Sequence, residues 1–272
     1  MEEYLSGSKL YGDNFSPEEI EKWYREEEEA YADLGSKDKG QNSYGYHEFN
    51  IVHGFNKLKH IPSFKNVLGL GSAWGFEYEP IIDKIKKITI IEPSDNLRSE
   101  KIGNIIPAYV KPTITGQLPF NDNQFDLITC FGTLHHIPNV TYTIGELIRV
   151  LNYNGFLLIR EPIMSMGDWR QPRKGLTKNE RGIPKEVFES IFAKNKVEVV
   201  SKEYCFTMTS YFQRLLGKLF PKPIYSYNSY VLLDKYLSKI LTSNIHYHPK
   251  SKIERLSPQS VFYVIKKLPQ NV

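Results

Sequence analysis

The sequence predicts an α/β fold in which a mostly parallel sheet is covered by helices on both faces. Three observations predict it. Short apolar runs, "NVLGLG" (66–71), "KITIIEPS" (87–94), "QFDLITCF" (124–131) and "FLLIREP" (156–162), have the length and hydrophobicity of strands buried on two faces. Stretches with helical spacing alternate with them, as in "TYTIGELIRVL" (141–151) and "PKEVFESIFAKN" (184–195). The first strand then runs into a glycine-rich turn, where backbone amides at a helix start can receive a nucleotide-like ligand.

Taken in order, Ser16-Pro17-Glu18-Glu19 is a helix start: Ser16 caps, Pro17 takes the first helical position and Glu19 returns a bond to the cap. The helix continues through "IEKWYREEEEAYADL" and ends near Gly35, with the glutamate run Glu26 to Glu29 read as a solvated face. A polar connector, "KDKGQNSYGY" (37–46), leads to an amphipathic helix in "HEFNIVHGFNKLKHI". Pro80 implies that the helix after the glycine turn starts late or kinks. "NYNG" (152–155) should stop the helix that precedes "FLLIREP", and "KVEVVSKEYCF" and "QSVFYVIKKL" supply the closing strands. Residues 207–257, rich in tyrosine and leucine, read as amphipathic helices packed on the sheet as a lid. The domain organisation expected is an N-terminal helical extension over residues 1–60, then one domain over 61–272 with a helical insertion at about 207–257.

At 272 residues the chain can bury a sizeable core, and no apolar run approaches the roughly 18 residues of a membrane span. The first residues lack a basic start followed by an apolar run. Cys130 and Cys205 stand far apart, with Cys130 inside a strand, so neither a disulfide framework nor a zinc site is expected. These features point to a cytoplasmic protein. Charge is unevenly spread. Residues 1–33 carry 11 acidic against 3 basic side chains, net −8, and residues 166–272 carry 19 basic against 8 acidic, net +11. The basic part could meet an anionic substrate, an acidic membrane surface or nucleic acid, or could be a solvated face.

Two ligand classes suit the glycine turn, dinucleotides and S-adenosylmethionine. The tight dinucleotide fingerprint needs a small residue at position 74, where Trp74 stands, and only the looser Gly69-x-Gly71-x-x-x-Gly75 spacing remains for it. Glu92 ends the second strand 21 residues after Gly71, the spacing at which a carboxylate takes ribose hydroxyls.

Read with Gly71, Ala73 and Gly75 as its loop, the stretch resembles motif I of the class I S-adenosylmethionine-dependent methyltransferases. "LPFNDNQFDLITCFGTLHHIPN" looks like the fourth-strand region of the small-molecule and ubiquinone-type group of that family, and "ELIRVLNYNGFLLI" matches its next helix and fifth strand. The resemblance covers about residues 64–163. It implies a Rossmann-like doubly wound sheet of seven strands, the last antiparallel, and S-adenosyl-L-methionine as cofactor. It also implies cofactor contacts from Gly69, Gly71, Ser72, Ala73, Gly75, Glu92, Pro93, Thr115, Leu118, Phe131 and Gly132. Three departures stand out: Gly69 occupies the place of a carboxylate that commonly holds the cofactor's amino-acid end, Ala73 replaces a glycine, and Ile114 or Thr115 stands where an acid often takes the adenine amine.

The family's sheet order sets His135 and His136 opposite Glu161. A hydroxyl acceptor needs a base, so His135 is the first candidate with Glu161 orienting it, and His136 is the alternative. Trp74, Tyr46 and Phe131 are aromatic candidates for the sulfonium or adenine. The loop "SMGDWRQPRKGLTKNERGIP" (165–184) carries Asp168, Trp169, Arg170, Arg173, Lys178 and Arg181, a set suited to an anionic acceptor. The function expected is methyl transfer to a small or glycan acceptor, an O-methylation of an anionic sugar-type substrate. The alternatives are an inactive cofactor-binding scaffold and a nucleic-acid methyltransferase, though no nucleic-acid-binding module is evident. No metal is expected, since His246 and His248 have no accompanying ligand cluster.

Overall fold

The computed structural model describes residues 1–34 and 44–269, with side chains from residue 1 to 27 and from 44 onward. The expected end of the first long helix and most of the polar connector lie outside the described residues. In chain order the elements are α1 (Glu2–Leu5), α2 (Pro17–Leu34), α3 (His47–His53), β1 (Val67–Leu70), β2 (Ile88–Ile91), β3 (Ala108–Val110), β4 (Phe125–Phe131), α4 (Val140–Val150), β5 (Leu151–Pro162), α5 (Lys185–Lys194), β6 (Val197–Cys205), α6 (Thr209–Leu216), α7 (Asn228–Ile240) and β7 (Ser260–Lys267). The sheet order is β3-β2-β1-β4-β5-β7-β6, with β7 antiparallel to both its neighbours and every other pairing parallel. This is the seven-stranded architecture expected.

Strand alternation divides the core in two. Leu68, Ile128, Cys130, Leu157 and Ile159 pack against Ile144 and Leu147 of α4 and Phe188 and Ile191 of α5. Val67, Leu127, Leu158 and Phe262 pack on the other face against Phe55, Leu58 and Tyr78. The same alternation aims Glu161 at the α4 side and Arg160 at the α3 side, next to each other at the end of β5.

Four local expectations change. Apolar patterning missed β3, whose three residues are too short to show a period. The stretch after the glycine turn is a 3₁₀ run, Phe76–Lys84, because Pro80 removes a donor and blocks a regular α-helix. "NYNG" is not a separate stop: α4 ends at Val150 and β5 starts at Leu151, with Asn154 in the left-handed region (φ 62) and a shift of register against β4. The helix at "HEFNIVHGFNKLKHI" breaks at Gly54, where a Cβ would lie 2.6 Å from the Phe262 ring.

At the start of α2 the reciprocal cap forms. Ser16 N donates to Glu19 Oε2 at 2.8 Å and Glu19 N donates to Ser16 Oγ at 3.3 Å. Of the glutamate run, Glu27 is buried rather than solvated. Between β6 and β7, α7 packs on α3 and β6. Its buried Asp234 accepts from Phe206 N at 2.8 Å and Thr207 N at 2.7 Å, which fixes the chain where it leaves β6.

Candidate functional site

A cavity of about 360 Å³ opens over the carboxyl ends of β1, β2 and β4. Gly71 and Ala73 of the glycine turn, Glu92 and Pro93 after β2, and Pro112, Thr113, Ile114 and Gly116 after β3 line it. Gly132, Thr133, His136 and Asn139 complete the wall after β4, and Trp23, Tyr24 and Glu27 of α2 form the roof. Gly71, Ala73 and Gly75 all take positive φ (66, 45 and 72). Ala73 adopts this left-handed turn at a cost of about 1–2 kcal/mol for a residue with a Cβ. A Cβ on Gly71 would fall 2.5 Å from the Thr133 side chain. Glu92 accepts from Ala73 N at 3.2 Å and Ser94 N at 3.1 Å, tying the turn to the end of β2. Burial raises its carboxyl above the usual range, against those two amides.

Other expected cofactor residues stand behind this wall. Gly69 faces Ser72 Oγ and Tyr78 OH, which leave no room for a side chain, and Ser72 donates to the buried Glu77 at 3.0 Å. Gly75 packs against Ile102, and Leu118 lies in the core with its N–H bound to Glu146 at 2.9 Å. Thr115 contributes its carbonyl, which accepts from Asn139 Nδ2 at 2.6 Å. Phe131 is buried on the α3 side of the sheet. Trp74 stacks on Phe76 with centroids 5.9 Å apart.

Two oxygens in the cavity wall have no hydrogen-bond partner among the described residues: Glu27 Oε1 on the roof and Asn139 Oδ1 beside Gly116. A buried acceptor left unsatisfied costs about 1–3 kcal/mol. Sequence reading missed both. Glu27 sat in an acidic run, and Asn139 followed a proline in what reads as an ordinary helix start.

The histidine pair divides its roles. His135 Nδ1 lies 2.7 Å from Glu161 Oε2 and its Nε2 lies 3.5 Å from Glu180 Oε1. Burial works against its charge, but Glu161 and then Glu180 override it and push the imidazole up to about 9. A ring held protonated between two carboxylates has no lone pair to offer, so the geometry does not support His135 as base. Glu161 also accepts from Thr133 N at 2.8 Å and Leu134 N at 2.7 Å, which shapes the turn after β4. His136 lines the cavity, with Nδ1 3.0 Å from Glu27 Oε2. Burial, then the charge on His135, lowers it below the ordinary imidazole value, so it is neutral near pH 7. With Nδ1–H donated to Glu27, its lone pair is on Nε2. Ligand atoms of His135, His136 and Glu180 approach within 4.8 Å of one another, but His135 already spends both nitrogens on carboxylates.

The basic loop 165–184 is occupied by the chain itself. Asp168 takes Arg170 through Nε and Nη2, and Arg173 donates to the carbonyls of Met166, Thr177 and Lys178. Lys178 pairs with Glu26 at 2.5 Å, and Trp169 stacks on Tyr11 at 5.2 Å. Arg181 is fully buried and donates to the carbonyls of Tyr11, Leu134, His135 and Pro138. Of the residues expected at an acceptor, Trp169, Lys178 and Arg181 contact the N-terminal segment, while Asp168, Arg170 and Arg173 bond within the loop.

A different cation stands at the end of β5. Arg160 is buried, donates to Asn50 Oδ1 at 2.8 Å, and sits 4.5 Å from the Tyr46 ring, 5.3 Å from Phe131 and 6.0 Å from Phe206. No carboxylate forms an ion pair with it among the described residues. Burial raises the Glu77 carboxyl, on the same side of the sheet, while hydrogen bonds from Thr129 and Ser72 and the charge of Arg160 act to lower it. Phe131 is the residue before cavity-lining Gly132, and Gly132 N donates to Arg160 O at 2.8 Å.

A family model described as a methyltransferase domain matches residues 68–159. The sequence matches none of the curated proteins with which it was compared. Among solved structures, a chain of the Haloferax volcanii complex of the Trm112 methyltransferase activator is similar at 12% identity and TM-score 0.57, covering 90% of this chain and 99% of that one. An S-adenosylmethionine-dependent methyltransferase from Mesorhizobium loti is similar at 12% identity and TM-score 0.54, covering 82% and 99%. The [4+2]-cyclase SpnF is similar at 15% identity and TM-score 0.50, covering 86% of each chain. Likeness at these identities shows the fold, and a cyclase among the neighbours shows that the fold alone does not name the reaction. The family match runs through the glycine turn, Glu92 and the strand that leads to the histidine pair. Residues 68–159 are thus similar to a methyltransferase domain, and the fold around them is the one found in S-adenosylmethionine-dependent methyltransferases of known structure.

Proposed function

We propose that the chain O-methylates a small anionic acceptor, and that Arg160 is the residue that selects for its charge. The cofactor supplies a methyl group on a sulfonium, an electrophile that reacts by in-line displacement. The residues present suit it: it offers three sets of hydrogen-bond donors, the ammonium, the ribose hydroxyls and the adenine amine. The residues lining the cavity carry three acceptors, Glu27 Oε1, Glu92 and Asn139 Oδ1. The carboxylates that the family carries at the positions of Gly69 and Thr115 are thus replaced from α2 and from the start of α4.

His136 is the base in this reading. Glu27 fixes its tautomer, His135 and burial keep it neutral, and a neutral imidazole can take the acceptor's hydroxyl proton. The roof of Trp23, Tyr24 and Glu27 excludes water, and alignment under it supplies most of the rate.

Arg160 carries the acceptor's charge in this reading. Burying a guanidinium without a counter-ion is costly, and aromatic faces and one amide repay only part of it. An anionic ligand group would complete the shell, and hydroxy acids or phosphorylated and acidic sugars have the chemistry required. The test is methyl transfer from labelled S-adenosylmethionine to paired acceptors, each anionic compound beside its neutral amide or ester. Turnover confined to the anionic member, with Arg160→Gln raising its KM at least tenfold and leaving S-adenosylhomocysteine binding unchanged, supports the reading. Equal turnover of both members contradicts it. His136→Gln should lower kcat by 10²–10⁴, the usual worth of a general base.

A further inference from the structure

The helices between β6 and β7 are turned inside out. On α7 the buried residues are Val231, Asp234 and Ser238, while Leu232, Leu233, Tyr236 and Ile240 face out. On α6 and the turn after it, Tyr211, Leu215, Leu219 and Phe220 are likewise exposed. Tyr211, Leu215, Leu219, Leu232, Tyr236 and Ile240 are each more than half exposed, which contradicts the expectation that the apolar residues of this insertion are spent on packing against the sheet. A water-facing helix normally shows the opposite arrangement.

Charge accompanies the apolar residues. Arg214, Lys218, Lys222 and Lys239 are exposed among them. Between Phe206 and Ile253 the only acidic residue is Asp234, which is buried and bound to the amides of Phe206 and Thr207. Short helices with leucine and tyrosine on the outward side, basic side chains beside them and no exposed acid match the interface of an anionic bilayer. A protein partner would have to be acidic and apolar at once. A second copy of this face would set like charges against each other.

We propose that α6, the turn Gly217–Leu219 and α7 form a docking face for an anionic lipid surface. The apolar residues enter the headgroup boundary while Arg214, Lys218, Lys222 and Lys239 meet lipid phosphates. No helix among the described residues is long and apolar enough to cross a membrane, so the attachment is peripheral. The face belongs to the segment that leads from β6 back to β7, beside Arg160's neighbours Phe206 and Tyr46.

Sedimentation of the full chain with vesicles tests this. Phosphatidylcholine vesicles containing phosphatidylglycerol should carry the protein down at physiological salt, and pure phosphatidylcholine should carry about tenfold less. Leu232→Ser with Tyr236→Ser should lower the bound fraction about tenfold, since both side chains lose apolar area to bury. Lys218→Glu with Lys239→Glu should abolish the preference for anionic vesicles. Both double variants should bind S-adenosylhomocysteine as the parent does, which shows that they fold. No vesicle binding by the parent overturns the proposal, as does binding that the Leu232 and Tyr236 changes leave intact. A dimer seen by light scattering and lost in those variants also overturns it, by assigning the face to a second copy.

Discussion

At the level of single residues, neighbours set two adjacent histidines apart. His135 and His136 are indistinguishable in sequence, and their rings lie 4.1 Å apart. One is clamped by Glu161 and Glu180, the other faces the cavity from beside Glu27. The family resemblance placed Glu161 opposite the pair but could not show Glu180, 45 residues away from His135, arriving at its second nitrogen. The clamp has a signature in pH. The folded state holds the His135 proton up to about 9, whereas a free imidazole loses it near 6.5. Its contribution to stability is therefore fully present below pH 6.5 and is lost as pH rises through 9. The loss is on the order of 3 kcal/mol. Urea unfolding of the parent at pH 6 and pH 10 should show that loss, and His135→Gln should show much less of it.

Among the elements, α2 lines the cavity and was the least legible. Its start could be read, because a capping box is a local device whose residues lie within four positions. Its function could not, because Trp23, Tyr24 and Glu27 reach the site from more than forty residues before the glycine turn. The helix is held by Arg181, which lies 4.9 Å from the Trp23 ring, and by Trp23 Nε1–H donating to His136 O at 2.8 Å. Ser16→Ala removes the cap and should cost α2 about 1 kcal/mol. Hydrogen exchange should quicken in its first two turns. Affinity for S-adenosylhomocysteine should fall severalfold, because the roof is formed less of the time. Unchanged affinity would mean that α2 does not cover the ligand.

Over the whole molecule, part of the acidic start meets the basic loop 165–184. Glu26 meets Lys178 and Asn179, Glu27 meets Thr177, and Tyr11 lies on Trp169. The loop expected at an acceptor also holds the N-terminal segment through Trp169, Thr177, Lys178, Asn179 and Arg181. What the sequence showed well was whatever rests on continuous hydrophobicity: six of the seven strands, their flanking helices and the glycine turn. What it hid rests on contacts between distant segments: the roof, the caged Arg160 and the outward apolar face of α7.

The central claim is that the cofactor lies in this cavity with its amino-acid end against Glu27 and its adenine against Asn139. Calorimetric titration of the parent, Glu27→Gln and Asn139→Ala with S-adenosylhomocysteine, 5′-methylthioadenosine and S-inosylhomocysteine tests it most directly. The parent should bind S-adenosylhomocysteine best. Glu27→Gln should lose at least tenfold for it and nothing for 5′-methylthioadenosine, which lacks the ammonium. Asn139→Ala should lose affinity for both adenine ligands and not for the inosine one. A parent that binds none of the three would contradict the cofactor assignment, and losses that are equal across the ligands would contradict the contacts.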